Sequence, residues 1–226
     1  MDKVARSWKV VSALAAVGFA ALVLAAGTPA FAADQELIGK KLLIINKTTP
    51  GKSVLVFLSK DPAIVKTPAG GSGDPILNGG SMRIITSSTD NTFPMPGPNV
   101  TDGEWFTNTP QTIWKYRKGD GIAGDACKVA LVKGAKIVKA VCKGPDVDAI
   151  AIATSAPNAI VEAQLATGDE KYCSVFSAAH GCDQVKDGSF NPANTVAKYL
   201  SKNCATATLV CASPSGAFLE LAQNLF

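Results

Sequence analysis

The sequence predicts a mainly β protein: an antiparallel β-sandwich-like domain with long Gly/Pro loops and a disulfide-rich C-terminal part. Three observations carry that expectation. Apolar residues come in short runs in which Val, Ile and Thr recur, the side chains that suit a pleated surface. Gly and Pro bound those runs, 20 and 13 of the 226 residues, and both punctuate strands. All six cysteines, Cys127, Cys142, Cys173, Cys182, Cys204 and Cys211, lie in the second half behind an export-like leader. An even number of cysteines in an exported chain implies three disulfides and an oxidising compartment.

The leader is read from its charge and its break. Lys3, Arg6 and Lys9 stand against Asp2, and residues 10–26 then carry no charge. The apolar run breaks at Gly27 and Pro29, and Ala30-Phe31-Ala32 has the small-x-small form accepted by signal peptidase. A retained anchor is the competing reading, because the run is close to the lower limit for spanning a bilayer. The cleavage-site pattern decides for removal after Ala32. The expected organisation is a signal peptide at 1–32, a secreted β domain at 33–212 and a C-terminal tail or short helix at 213–226. No cysteine near the cleavage point provides a lipid anchor, and no second apolar run has the length to span a membrane. The expected location is extracytoplasmic, secreted or periplasmic.

Of 22 basic and 18 acidic residues, the leader holds three and one, so the mature net charge falls from +4 to +2. No basic block remains, which argues against a nucleic-acid partner.

Along the mature part, residues 41–47 (KLLIINK) and 54–58 (VLVFL) read as two strands around a Pro50-Gly51 turn. Residues 67–80 (TPAGGSGDPILNGG) form a long loop with room for one ordered turn. Residues 82–86 (MRIIT) make a third strand, and the Pro-rich stretch 91–110 reads as loop. In residues 112–117 (TIWKYR) alternation places Trp114 and Tyr116 on one face, Lys115 and Arg117 on the other.

Residues 127–142 (CKVALVKGAKIVKAVC) fold about Gly134-Ala135 as a hairpin with a two-residue type II′ loop. Leu131 then faces Val138, Val129 faces Ala140, and Cys127 faces Cys142 at a Cα separation of about 5.5 Å, within disulfide reach. Lys128, Lys133, Lys136 and Lys139 form a solvated side. Residues 159–166 and 171–176 (KYCSVF) make another hairpin. Residues 194–202 and 217–226 are read as short helices. For Cys173, Cys182, Cys204 and Cys211 three pairings are open, and Cys173 with Cys211 plus Cys182 with Cys204 is the one preferred.

Several of these segments together resemble a known family. Gly70-Gly71-Ser72-Gly73-Asp74-Pro75, Trp114-Lys115-Tyr116, the Cys127 to Cys142 hairpin with Lys143-Gly144, and Tyr172-Cys173-x-x-Phe176 resemble an uncharacterised family of secreted bacterial β-rich domains. The resemblance covers residues 37–190 and implies an extracytoplasmic β domain without implying an activity. The chain departs from the pattern at Ser177-Ala178, where the family has a Gly pair, at the extra Cys182, and again after Phe190.

Catalytic constellations are sparse. Residues 46–53 (NKTTPGKS) end like a phosphate loop but lack its first Gly and run into a strand instead of a helix. Residues 70–74 echo a calcium-binding repeat in a single copy, which cannot complete the coordination. Asp120 with Asp125 and Asp146 with Asp148 read as solvated turn carboxylates. His180 is the only histidine; His180-Gly181-Cys182 suggests a thiol nucleophile, but disulfide pairing of Cys182 is the stronger expectation. Trp105 and Phe106 are the candidate ligand-binding residues, as rings to stack on a sugar or a partner, with burial in the core as the competing reading.

The expected role is non-enzymatic: a secreted or envelope-associated structural or binding domain stabilised by disulfides, with carbohydrate or cell-envelope components as partners. No catalytic residue, metal site or cofactor is expected. The competing class is a secreted carbohydrate-active hydrolase using paired carboxylates.

Overall fold

Alternation of buried and open side chains along each strand builds two antiparallel-rich sheets stacked as a sandwich. A computed structural model describes residues 34–47, 49–86, 88–97, 103–118, 126–150, 160–191, 196–205 and 211. The leader, the helix expected at 217–226 and the Asp120/Asp125 pair lie outside the described residues.

In chain order, β1 (Gln35–Glu36) leads into the hairpin of β2 (Gly39–Lys47) and β3 (Val54–Ser59). One helical turn, α1 (Pro75–Asn78), precedes β4 (Gly80–Ile85) and β5 (Asp90–Met95). A meander follows: β6 (Gly103–Thr107), β7 (Ile113–Lys118), β8 (Cys127–Lys133) and β9 (Ile137–Lys143). After α2 (Pro145–Asp148) come β10 (Val161–Thr167) and β11 (Glu170–Phe176), a 3-10 turn at Ala178–His180, then β12 (Asp183–Asn191) and β13 (Val196–Lys202). The eight-stranded sheet runs β12-β13-β2-β3-β9-β8-β7-β6, and the five-stranded sheet β1-β11-β10-β4-β5. Among the described residues, only β1 against β11 is parallel.

Between the sheets lie Leu42, Ile44, Leu55, Phe57, Trp114, Tyr116, Val138 and Ala140 from the larger sheet, and Met82, Ile84, Val161, Leu165, Tyr172 and Phe176 from the smaller. Phe57 meets Phe176 edge to face with centroids 6.2 Å apart. The Tyr199 hydroxyl donates to the Phe176 carbonyl at 3.1 Å. At one side the edge strands β5 and β6 are tied by the Trp105 indole N–H donating to the Met95 carbonyl at 3.2 Å. Buried Val147 and Ile150, at and just past α2, close one end of the sandwich. At the other end Ile64 is buried, and the Val65 carbonyl accepts from Gln35 and from the Tyr172 hydroxyl.

The structure joins Cys127 to Cys142, Cys173 to Cys211 and Cys182 to Cys204. The first lies on the core face between β8 and β9, and the last clamps the open end of the β12–β13 hairpin, where Asp183 pairs with Lys202. Three intramolecular disulfides indicate an oxidising environment.

Four expectations are corrected. The β8–β9 loop holds three residues, 134–136, with the Lys136 N–H on the Lys133 carbonyl and Ala135 at φ +52°. The Ala135 N–H donates to the Ile64 carbonyl at 2.7 Å, so docking on the neighbouring chain shapes the turn. The longer loop shifts the pairs to Val129 with Val141, Ala130 with Ala140 and Leu131 with Lys139; a bulge between Cys127 and Val129 restores the cysteine pair, at a Cα separation of 3.7 Å. Val129 and Leu131 therefore face outward. Secondly, residues 196–202 form strand β13 and not a helix, because pairing with both β12 and β2 fixes an extended backbone. Thirdly, β6 and all of β5 but its first residue lie inside the Pro-rich stretch read as loop; β5 takes Pro94 as an edge strand, where a missing N–H is tolerated. Fourthly, the strand read at 41–47 begins at Gly39, where pairing with Ser59 carries it beyond its apolar run.

Candidate functional site

A sheet in a two-layer sandwich needs one apolar face, and an exposed second face is ordinarily polar. The outer face of the eight-stranded sheet departs from this. Its register aligns Leu200, Leu43, Val56, Val141 and Val129 in one row across five neighbouring strands. All five are partly exposed, whereas the alternating residues Leu42, Leu55, Val138, Ala140 and Tyr199 are fully buried on the inner face.

Cations flank that aliphatic row. On one side Leu58 and Leu131 alternate with Lys202, Lys41, Lys139 and Lys115, and Phe106 ends the row. On the other side Ile45 and Val54 sit between Lys198 and Lys143. Ile113, Lys133 and Ile137 add a short fourth row. Across these rows and the neighbouring edge strand β12, eight cations (Lys41, Lys115, Arg117, Lys133, Lys139, Lys143, Lys198 and Lys202) stand against two carboxylates, Glu104 and Asp183, the latter opposite Lys202. The ion pairs among the described residues, Arg83 with Asp90 and Lys171 with Asp34, lie elsewhere.

The two candidate ligand-binding rings separate. Trp105 is 5 % exposed, its indole committed to Met95 and its ring 5.4 Å from that of Tyr116. It is a core residue and offers no stacking surface. Phe106, the next residue on the strand, points to the opposite side and joins the cationic face, with the Lys115 ammonium 5.3 Å from its centroid.

The other candidates are held locally. Cys182 is oxidised to a disulfide, and the His180 ring bonds the Ser177 hydroxyl through Nδ1 at 2.5 Å, within the same 3-10 turn. Asp74 accepts from the Gly70 and Ile76 N–H groups, so the glycine loop uses its carboxylate to cap α1. Asp61 accepts from Ile38 and Ala63. Asp148 accepts from Gly51, and hydrogen bonds led by that of Ser53 hold its carboxyl below the usual range. Buried Glu162 and Glu170 belong to opposite faces of the smaller sheet: Glu162 is bonded by Gln164 on the outer side, Glu170 by Gln35 on the inner. Among the described residues no group of three or more His, Cys, Asp or Glu is placed to hold a metal ion, and no helix is long and apolar enough to cross a membrane.

The face emerges only when neighbouring strands are set in register, so no single strand reveals it. Its signal was present: KLLIINK, VLVFL and residues 129–132 are continuous apolar runs where a strand with one wet face alternates. No family model matches this chain, and neither a curated protein nor a solved structure is similar to it.

Proposed function

We propose that this chain is an exported, non-enzymatic domain of the cell envelope that binds its partner through the outer face of the eight-stranded sheet. One observation carries the reading: an aliphatic row five strands wide, bordered by lysines, on a sheet whose inner face is already packed. Contiguous apolar surface rimmed by charge marks interaction sites on soluble domains. The hydrolase alternative is less well supported, because the buried carboxylates are tied to their own backbone or to amides, and two of them lie on opposite sides of a sheet. The disulfides suit such a role, cross-linking the fold where no reductant maintains it.

The test is adsorption of the purified mature protein to washed envelope fragments. The double substitution Leu43→Thr with Val141→Thr keeps strand propensity and should abolish binding. Arg83→Gln with Asp90→Asn, on the smaller sheet, should leave it intact. Equal binding by all three proteins would remove this face from consideration.

A further inference from the structure

We infer that the partner of this face is an anionic phospholipid surface, an inference that rests on the binding reading above. Eight cations to two carboxylates, both of these on edge strands, select a negatively charged partner. The same ratio disfavours a second copy of the chain, since isologous stacking would set lysine rows against lysine rows. The aliphatic row narrows the choice further. Sugar polymers are held by flat rings, and here the described face has one ring, Phe106, at its margin. Branched aliphatics suit the boundary between headgroups and acyl chains, where apolar side chains sink in and lysine stems reach back to the phosphates. Across the seven strands from β13 to β6, at about 4.8 Å each, the face spans roughly 30 Å, room for several headgroups. Lys41, Lys139 and Lys202 stand in one row beside Leu43 and Val141, so charge and apolar contact act together.

The experiment is co-sedimentation of the mature protein with phosphatidylglycerol-containing vesicles and with pure phosphatidylcholine vesicles. Binding is expected to the first, to weaken steeply as salt screens the lysines, and to be at least tenfold weaker on the second. A lysine near an anionic surface contributes about fivefold. The triple substitution Lys41→Gln, Lys139→Gln, Lys202→Gln should therefore lower the partition coefficient about a hundredfold, with an unchanged unfolding midpoint. Leu43→Thr with Val141→Thr should lower it while the charge is kept. Equal binding to both vesicle types, or wild-type binding by the triple variant, overturns the inference. If the protein ignores vesicles yet still adsorbs to envelope fragments through this face, the lipid is wrong and the binding face stands. Dimerisation in the absence of lipid, abolished by the Leu43/Val141 variant, would assign the face to a second copy instead.

Discussion

Val129 stands opposite Val141 on the outer face of the larger sheet, although Cys127, two residues earlier, stands opposite Cys142 on the core face. The bulge between them reverses the sidedness of β8, so Leu131 turns outward and Val132 inward, where it is fully buried. Leu131→Gln should therefore change stability by no more than about 1 kcal/mol. Val132→Gln, which buries an amide without a partner, should cost roughly 3 kcal/mol. Urea titrations of the two variants decide the matter, and the opposite ranking would restore a two-residue turn.

What could be read from the chain, and what could not, follows from the range of the forces involved. Trp114 and Tyr116 alternate with Lys115 and Arg117, and that local pattern is enough to bury the rings. The hairpin of β10 and β11 was likewise visible, through its Gly168 turn between two apolar runs. The bulge at Lys128 was not, because it answers to the Ala135 to Ile64 hydrogen bond, a contact 71 positions apart in sequence. Nor was β13: Val196, Tyr199 and Leu200 fit helical spacing, and only pairing on both sides makes the segment extended. The lysine-bordered aliphatic face is a property of register between seven strands, and register is not a local quantity.

Gly39 lies against Phe176 so closely that a β-carbon built there would come within 2.7 Å of the ring and 3.1 Å of the Cys204 sulfur. The ring is not free to yield, because it meets Phe57 edge to face. Gly39→Ala should destabilise by about 1 to 3 kcal/mol through overpacking. In a Phe176→Leu background the same substitution should cost less, so a double-mutant cycle should show favourable coupling. Additive losses would place the strain somewhere other than this contact.

Alkaline stability is expected to follow the buried tyrosines. Burial pushes the Tyr199 hydroxyl up to about 12 from an ordinary value of 10.0, against the lowering influence of hydrogen bonds from Gln184 and Ser201. Burial, followed by the neighbouring charge of Glu170, raises Tyr172 as well. A raised value means that the unfolded chain gives up its proton first. The stabilisation is thus complete below pH 10 and is lost between there and about pH 12, by up to about 3 kcal/mol for a shift of this size. Urea midpoints measured across that interval should fall, and Tyr199→Phe should flatten part of the decline. An unchanged slope in that variant would show that Tyr199 does not titrate with unfolding.

The neighbours Trp105 and Phe106 should answer differently to the same truncation. Trp105 ties the edge strand of one sheet to the edge strand of the other, with its indole N–H on Met95 and its ring so near Gly80 that a β-carbon there would come within 2.7 Å of it. Trp105→Ala should cost about 3 to 5 kcal/mol, and Trp105→Phe about 1 to 2 kcal/mol for the orphaned carbonyl. Phe106→Ala should leave the unfolding midpoint within about 0.5 kcal/mol while weakening adsorption to envelope fragments, because its ring lies on the face that carries the lysine rows. Were Trp105→Phe to abolish binding at unchanged stability, the indole would be a ligand contact after all. Chemical denaturation run beside the adsorption assay separates the two, since a core residue moves the first and a surface ring only the second.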